Sequence, residues 1–279
     1  MSVYELDPVH FFSAPNLSWE AMLITTKVEI ELLPDIDMRL FCENAFRGGI
    51  NGIGALRTFS ANNKYQQNYK ANSESVFGAF FDVTSLYAGT MEQPLPLGDY
   101  VWRSDLTLND IISADPFGDI GYMVEIDLHY PPFLHSPHND LPLAPQKLQI
   151  NPDWLSSYAL SLGIKPSGTA KLVETLFDKL NYVCHFRNLQ FYVQQGLEVK
   201  ALHKVLQFKQ SSWLRKYISK NTSMRKRATS DFEKKLLQVI VQCVFRENYG
   251  ESQESTCHQV GCERDAGQKS HLQTQLQVI

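Results

Sequence analysis

Apolar and polar positions along this chain follow two periods, and the first stretch is of the helical kind. Residues 1–45 predict two helices. Ser18 caps one running through Trp19-Glu20-Ala21-Met22-Leu23, where an early acid suits the helix dipole. Asp35 caps a second that carries Met38, Leu40, Phe41 and Ala45 and stops at Gly48-Gly49. The small, apolar and aromatic run Phe77-Gly78-Ala79-Phe80-Phe81 predicts a buried strand that ends on the carboxylate of Asp82. Pro94 and Pro96 stop any helix, and Tyr100-Val101-Trp102 predicts a short strand. Residues 121–128 alternate apolar and acidic positions as a half-buried strand does. A helix is predicted over 170–197, ending at Gly196, then a strand through Val199, Leu202, Val205, Leu206 and Phe208. Ser230-Asp231-Phe232-Glu233 is a capping box that opens another helix. The expected fold class is α+β.

Charge changes this picture because it is unevenly spread. Residues 1–45 carry eight acids against two bases, Lys27 and Arg39, whereas residues 200–227 carry nine bases and no acid. Such a split points to one face for an anionic partner, with a solvated basic helix as the alternative. No run approaches the length of a membrane-spanning helix, and Met1-Ser2-Val3-Tyr4-Glu5 lacks the parts of a signal peptide, so an intracellular protein without a membrane partner is expected. Five cysteines at irregular spacing suit a reducing compartment.

Four groups of residues could carry chemistry. Asp82 stands at the mouth of an apolar run, where a carboxylate is costly unless a cation or hydrogen-bond donors receive it; otherwise it caps the next turn. The two glycines of Phe46-Arg47-Gly48-Gly49 let a backbone approach a ligand closely, or else follow a helix C-cap. His129, His135 and His138 lie near Asp127 and Asp140 among prolines, an irregular loop read as structural rather than metal-binding. Cys257, His258 and Cys262 have no second ligand pair after them, which argues against zinc.

The order Asp82-Val83-Thr84-Ser85-Leu86-Tyr87, running into Met91-Glu92-Gln93-Pro94-Leu95-Pro96-Leu97-Gly98, resembles the first catalytic motif of family B DNA polymerases. It is most similar to the protein-primed subfamily of viruses, organellar plasmids and Maverick/Polinton-type transposons, although Ala88 replaces the usual proline after the tyrosine. Further matches are Phe46-Arg47-Gly48-Gly49 to the subfamily's aromatic-x-Gly-Gly linker, His135 to Pro145 to the start of its insertion, and Tyr182 to Gln190, Phe208 to Gln210 and Tyr217-Ile218 downstream.

The resemblance implies a partial right-hand polymerase. Residues 1–45 correspond to the C-terminal end of an exonuclease-like domain and 46–107 to the first part of the palm. Residues 108–200 correspond to the insertion that helps hold a terminal priming protein and DNA, 201–237 to the basic start of the fingers, and 238–279 to a tail outside the family. Asp82 and the Val83 carbonyl are the implied ligands of Mg2+ in a two-metal site, with Asp82 catalytic. Ser85, Leu86 and Tyr87 would lie against a deoxynucleoside triphosphate, and Lys226 and Lys234 would grip its phosphates. Phe46, Arg47, Gly48, Gly49, Arg225 and Arg227 are the implied contacts to template and primer DNA.

Two features set expectations for activity. The second carboxylate motif of the family, Asp-Thr-Asp, is not among these residues, and the implied lysine of the fingers motif falls on Gln238. An incomplete and inactive polymerase fragment is therefore expected. The tail reads as a frameshifted or mis-spliced continuation: permitted codons for Arg246 to Glu251, read one base later, give the family-like Gly-Lys-Thr-Met-Glu. On that view residues 238–279 have no selected fold. The alternative is a non-catalytic, transposon-derived nucleic-acid-binding protein that holds phosphates through residues 200–227 and stacks bases on Trp213 and Tyr217.

Overall fold

The computed structural model describes residues 4–50, 61–78, 83, 85–163, 165 and 168–244. Helix α1, Ala14–Thr26, starts earlier than expected. Its cap is Ser13, whose hydroxyl accepts from the Asn16 amide at 3.4 Å. Pro15, with its backbone angle already helical, belongs in the first turn and moves the start upstream. Ser18 is therefore interior, buried, with its hydroxyl donating to the Ala14 carbonyl at 2.7 Å. Helix α2, Ile36–Ala45, opens as expected on Asp35, whose carboxylate accepts from the Asp37 amide at 3.1 Å. It stops at Ala45, before the glycines, because Phe46 turns extended.

Helix α3 is Leu86–Met91, strand β1 Leu95–Arg103, α4 Leu108–Ile112 and β2 Ile120–His129. Most of the buried strand expected at 77–81 lies outside the described residues. Phe77 and Val83 lie outside any strand and are 63% and 65% exposed. Residues 79–82 and 84, Asp82 included, lie outside the described residues.

Strand β3, Gln146–Leu148, helix α5, Ser157–Ser161, and strand β4, Lys171–Val173, follow, with β3 and β4 paired as a small separate sheet. Next come β5, Lys179–His185, and α6, Phe186–Gln194. The helix expected over 170–197 thus exists only in its last part. Tyr182, Val183 and Cys184 suit a pleated surface and find one along β2, so pairing overrides the helical pattern. The expected stop holds: Gly196 takes a left-handed backbone with φ 97°. Strand β6, Glu198–Ser211, agrees with expectation, and helix α7, Arg215–Arg227, carries the later part of the basic run. Helix α8 covers residues 231–244 and begins at Ser230, which accepts from the Glu233 amide at 3.2 Å.

The main sheet has the order β1-β6-β2-β5, antiparallel throughout. One face of β2, through Val124, Ile126 and Leu128, packs with Val205, Tyr182 and Cys184 beneath Phe186 and Leu189 of α6. The opposite face, through Met123, Val183, Leu206 and Phe208, is covered by Met38, Phe41 and Ala45 of α2. Beyond α2 this second face is polar: Glu125 meets Lys204 at 3.1 Å and Asp127 meets His203 at 2.9 Å. A third core draws together α1, α3, α7 and α8 through Met22, Met91, Tyr217, Ile218, Ile240 and Val244. Residues 238–244, expected to have no selected fold, therefore pack as part of α8; apolar residues at helical spacing, Ile240, Val241 and Val244, are what they needed.

The nine bases of 200–227 do not make a single face. Lys200 and Lys204 pair on the sheet with Glu198 and Glu125, and Lys209 lines a cleft with Glu29, Glu31 and Asp99. The bases of α7 lie on another element, which packs on α1 and sets Lys220 over the Tyr4 ring.

His185 joins two cores and sets a pH dependence. Its Nδ1 accepts from the Arg187 amide at 3.4 Å, and its ring lies 4.7 Å from Phe186 and 5.9 Å from Phe208. Burial, followed by the nearby Arg187 charge, pushes its pKa down to about 3 from 6.5. Between pH 6.5 and 3 the unfolded chain binds a proton that the folded chain refuses, so stability falls as pH falls. The slope from this group is up to about 1.4 kcal/mol per pH unit. His185→Asn, which keeps a capping acceptor, is expected to flatten the urea midpoint between pH 6 and 4; an unchanged slope would remove His185 as its source.

Candidate functional site

The residues after Asp82 are held on a short helix against the basic one. Ser85 adopts a left-handed backbone, φ 60°, at the start of α3, and its side chain does not cap the helix. Leu86 is 48% exposed. Tyr87 is half-buried against the third core. The Thr90 hydroxyl closes the turn on the Leu86 and Tyr87 carbonyls at 3.1 and 2.9 Å. Three contacts tie this segment to α7 and its approach. Glu92 accepts from Arg215 Nε through its carbonyl at 3.2 Å and from the Ser219 hydroxyl through its carboxylate at 3.0 Å. The Pro96 carbonyl accepts from Trp213 Nε1 at 3.3 Å.

Helical geometry then places the bases. Steps of four and seven residues from Arg215 to Ser219 to Lys226 stay within about 40° of one another around a helix. Lys226 therefore continues the stripe that faces the α3 segment, about 10 Å beyond Ser219 along the axis. Arg225 lies on another side and donates to Gln238 Oε1 of α8 at 3.0 Å. A lysine at position 238 could not accept that bond, which gives Gln238 a role of its own. Arg227 donates from Nε to the Ser223 carbonyl at 3.3 Å. Lys234 lies 4.0 Å from Asp231 on the exposed first turn of α8. The structure thus brings Ser85, Leu86, Tyr87 and the Lys226 stripe onto one helical layer, while Arg225 and Arg227 bond within the chain.

The linker residues have a separate setting. Arg47 Nη1 donates to the Ala45 and Val183 carbonyls at 2.9 and 2.8 Å, and its guanidinium sits 3.9 Å over the Tyr182 ring. This pins the Phe46–Gly49 loop to β5, the edge strand of the sheet among the described residues, with Gly48 half-buried and Gly49 exposed. The histidines do not converge. His129 pairs with Asp178 at 2.9 Å, and His135 and His138 bond the Tyr130 carbonyl and hydroxyl at 3.2 and 2.8 Å. Among the described residues no three metal-ligating side chains cluster. Cys257, His258 and Cys262 lie outside the described residues. Glu92 and Ser219 were not singled out as site residues by sequence, because a backbone acceptor and a lone hydroxyl leave no motif; Trp213 was named only for base stacking together with Tyr217, which is fully buried.

The family model described as DNA polymerase type B, organellar and viral, matches residues 15–240, from α1 into α8. The chain belongs to this family. It is similar in fold to Phi29 DNA polymerase in its orthorhombic crystal form, with a TM-score of 0.51 and 13% identity over 86% of this chain. The ternary complex of Phi29 DNA polymerase with primer-template DNA and incoming nucleotides gives a TM-score of 0.47 and 15% identity over 85% of this chain. The chain spans 37% and 36% of those two chains. No curated protein matches it. Its architecture is α+β, corresponding to part of a right-hand polymerase. Among the described residues no helix is long and apolar enough to cross a membrane.

Proposed function

We propose that this chain supplies the first catalytic carboxylate and the nucleotide-facing helices of a DNA-directed DNA polymerase of the protein-primed type. Its substrates are deoxynucleoside triphosphates on a DNA primer and template, and its insertion, residues 108–200, contacts a terminal priming protein. Residues 46–107 act as the first part of the palm and 201–237 as the start of the fingers, following the end of an exonuclease-like domain in 1–45. The observation that carries the reading is that Arg215 and Ser219 bond Glu92, at the end of the segment beginning Ser85-Leu86-Tyr87, with Lys226 on the same stripe of α7. A triphosphate lying along α3 meets cations on one flank.

Mg2+ belongs to this reading on the chemistry of the donors. A carboxylate at Asp82 and a carbonyl at Val83 are hard oxygen ligands of the kind this ion takes, and Val83 is exposed. Held there, two such ions would supply activation of the primer hydroxyl and charge stabilisation of the leaving pyrophosphate. The chain's own residues do the rest. Asp82 holds charge at the reacting centre, Tyr87 lies under the sugar, and Lys226 and Lys234 orient the phosphates. Phe46, Gly48, Gly49 and the bases Arg47, Arg225 and Arg227 line the DNA path. The Asp-Thr-Asp carboxylates of the family are not in this sequence, so these 279 residues by themselves bind but do not extend.

Photolabelling with a γ-azidoanilide of deoxyadenosine triphosphate, with magnesium and a primer-template, tests the reading. Label is expected on peptides of α7 and α8, falling about tenfold in Lys226→Ala/Lys234→Ala, since each lost charge-assisted contact removes a substantial part of the affinity. No extension of the primer accompanies it. Labelling indifferent to both lysines overturns the assignment, and templated extension by these residues alone overturns the inactivity.

A further inference from the structure

Helix α7 buries a polar side chain in the middle of its apolar face. Asn221 is 1% exposed, below Leu214, Tyr217 and Ile218, which line the third core. Its amide nitrogen donates to the Tyr217 carbonyl at 2.9 Å, and its oxygen accepts from the Tyr4 hydroxyl at 2.5 Å. Tyr4 is itself 5% exposed, with its ring 6.1 Å from Tyr217 and 4.6 Å from Lys220 Nζ. The Tyr217 hydroxyl donates to the Ser18 carbonyl of α1 at 3.3 Å. Two long-range hydrogen bonds therefore cross from the N-terminal segment onto α7, among residues otherwise held by apolar packing.

Apolar contacts tolerate small rotations of one helix against another, because burial is nearly non-directional. A buried hydrogen-bonded pair does not, since only one rotation satisfies both partners and the others leave polar atoms unpaired. Asn221 and Lys226 are five residues apart, about 140° around the helix. Holding Asn221 toward Tyr4 therefore holds the stripe of Arg215, Ser219 and Lys226 on the far flank, toward Glu92 and α3.

We infer that Tyr4 and Asn221 are positioning residues: together they lock the rotation of α7 so that its basic stripe faces the segment Ser85–Glu92. The consequence for nucleotide binding rests on the polymerase reading; the lock itself does not. Sequence offers little sign of it, because Tyr4 lies far from α7 along the chain and Asn221 looks like any polar residue of a basic helix.

The test separates register from stability. Nitroxide side chains placed at position 89, where a Cβ meets open space, and at exposed Thr222 report the distance between α3 and α7. The intact chain is expected to give one narrow distance distribution. Tyr4→Phe and Asn221→Leu each leave a buried polar partner alone, so each lowers the urea midpoint and broadens the distribution. Tyr4→Phe/Asn221→Leu removes both polar groups and restores the midpoint, yet the distribution stays broad because the buried pair that selects the rotation is gone. The longer Tyr217–Ser18 bond and the exposed bonds of Arg215, Ser219 and Arg225 do not replace it. In the same double variant, γ-azidoanilide photolabelling falls about fivefold, the size of one lost alignment-dependent contact. A narrow distribution in the double variant overturns the lock, because packing alone would then set the rotation. A broad distribution with unchanged labelling keeps the lock and overturns the nucleotide reading.

Discussion

Asp82→Asn is expected to lower primer extension by about two to three decades in a polypeptide that joins this sequence to the family's Asp-Thr-Asp motif. The reason is electrostatic. In-line phosphoryl transfer concentrates negative charge between the attacking oxygen and the leaving pyrophosphate, and the site acts almost entirely by positioning and charge stabilisation. An amide keeps the shape of the side chain and removes its charge, and the loss of one preorganised electrostatic element typically costs about 10²–10³ in rate. The effect should fall on kcat more than on the apparent affinity for nucleotide, because Lys226 and Lys234 are untouched. Single-turnover extension on a defined primer-template measures it. Extension by Asp82→Asn within a factor of three of the parent would remove Asp82 from the catalytic role.

Phe186→Ala is expected to destabilise the fold by about 3–5 kcal/mol, the usual range for deleting a fully buried aromatic ring. Phe186 is 0% exposed, meets Tyr122 edge-on with ring centres 5.8 Å apart, and stacks obliquely on His185. It begins α6 where β5 ends, so its ring bonds the helix to the main sheet. Domains of this size have only about 5–15 kcal/mol in total, so the variant should lose a large part of it. Leu162→Ala, at a residue 60% exposed, is the matched comparison and should change stability by no more than about 0.5 kcal/mol. Urea titration of both variants decides the matter. A loss below 1 kcal/mol at Phe186 would mean that the first core is not the main source of stability.

The two variants probe different levels of the same molecule. The sheet and its α6 cover stabilise β6, and β6 delivers the chain to Trp213 and α7. The third core then fixes α7 beside α3. A loss in the first core is therefore expected to reach the candidate site only through unfolding, whereas a change at Tyr4 or Asn221 reaches it through geometry.

Much of this was legible from local signals. Asp35 and Ser230 start helices where short polar side chains precede apolar periods, and β2 and β6 follow the alternation expected of half-buried strands, since these features depend on neighbours a few residues away. The order of residues around Asp82 identified the family, and the match to residues 15–240 agrees with it. Other assignments needed partners that no local window contains. Ser18 loses its cap to Ser13 because Pro15 sets the first turn, and residues 179–185 become a strand because β2 offers an edge. The nine bases look continuous in sequence, yet the sheet pairs some with acids and leaves α7 to present the others. The Tyr4–Asn221 pair is a long-range fact of this kind. What the sequence by itself determined was the family and the helix starts at Asp35 and Ser230, because each rests on adjacent residues. What only the tertiary structure decided was which polar groups face one another, because hydrogen bonds and ion pairs are chosen by proximity after the cores have formed.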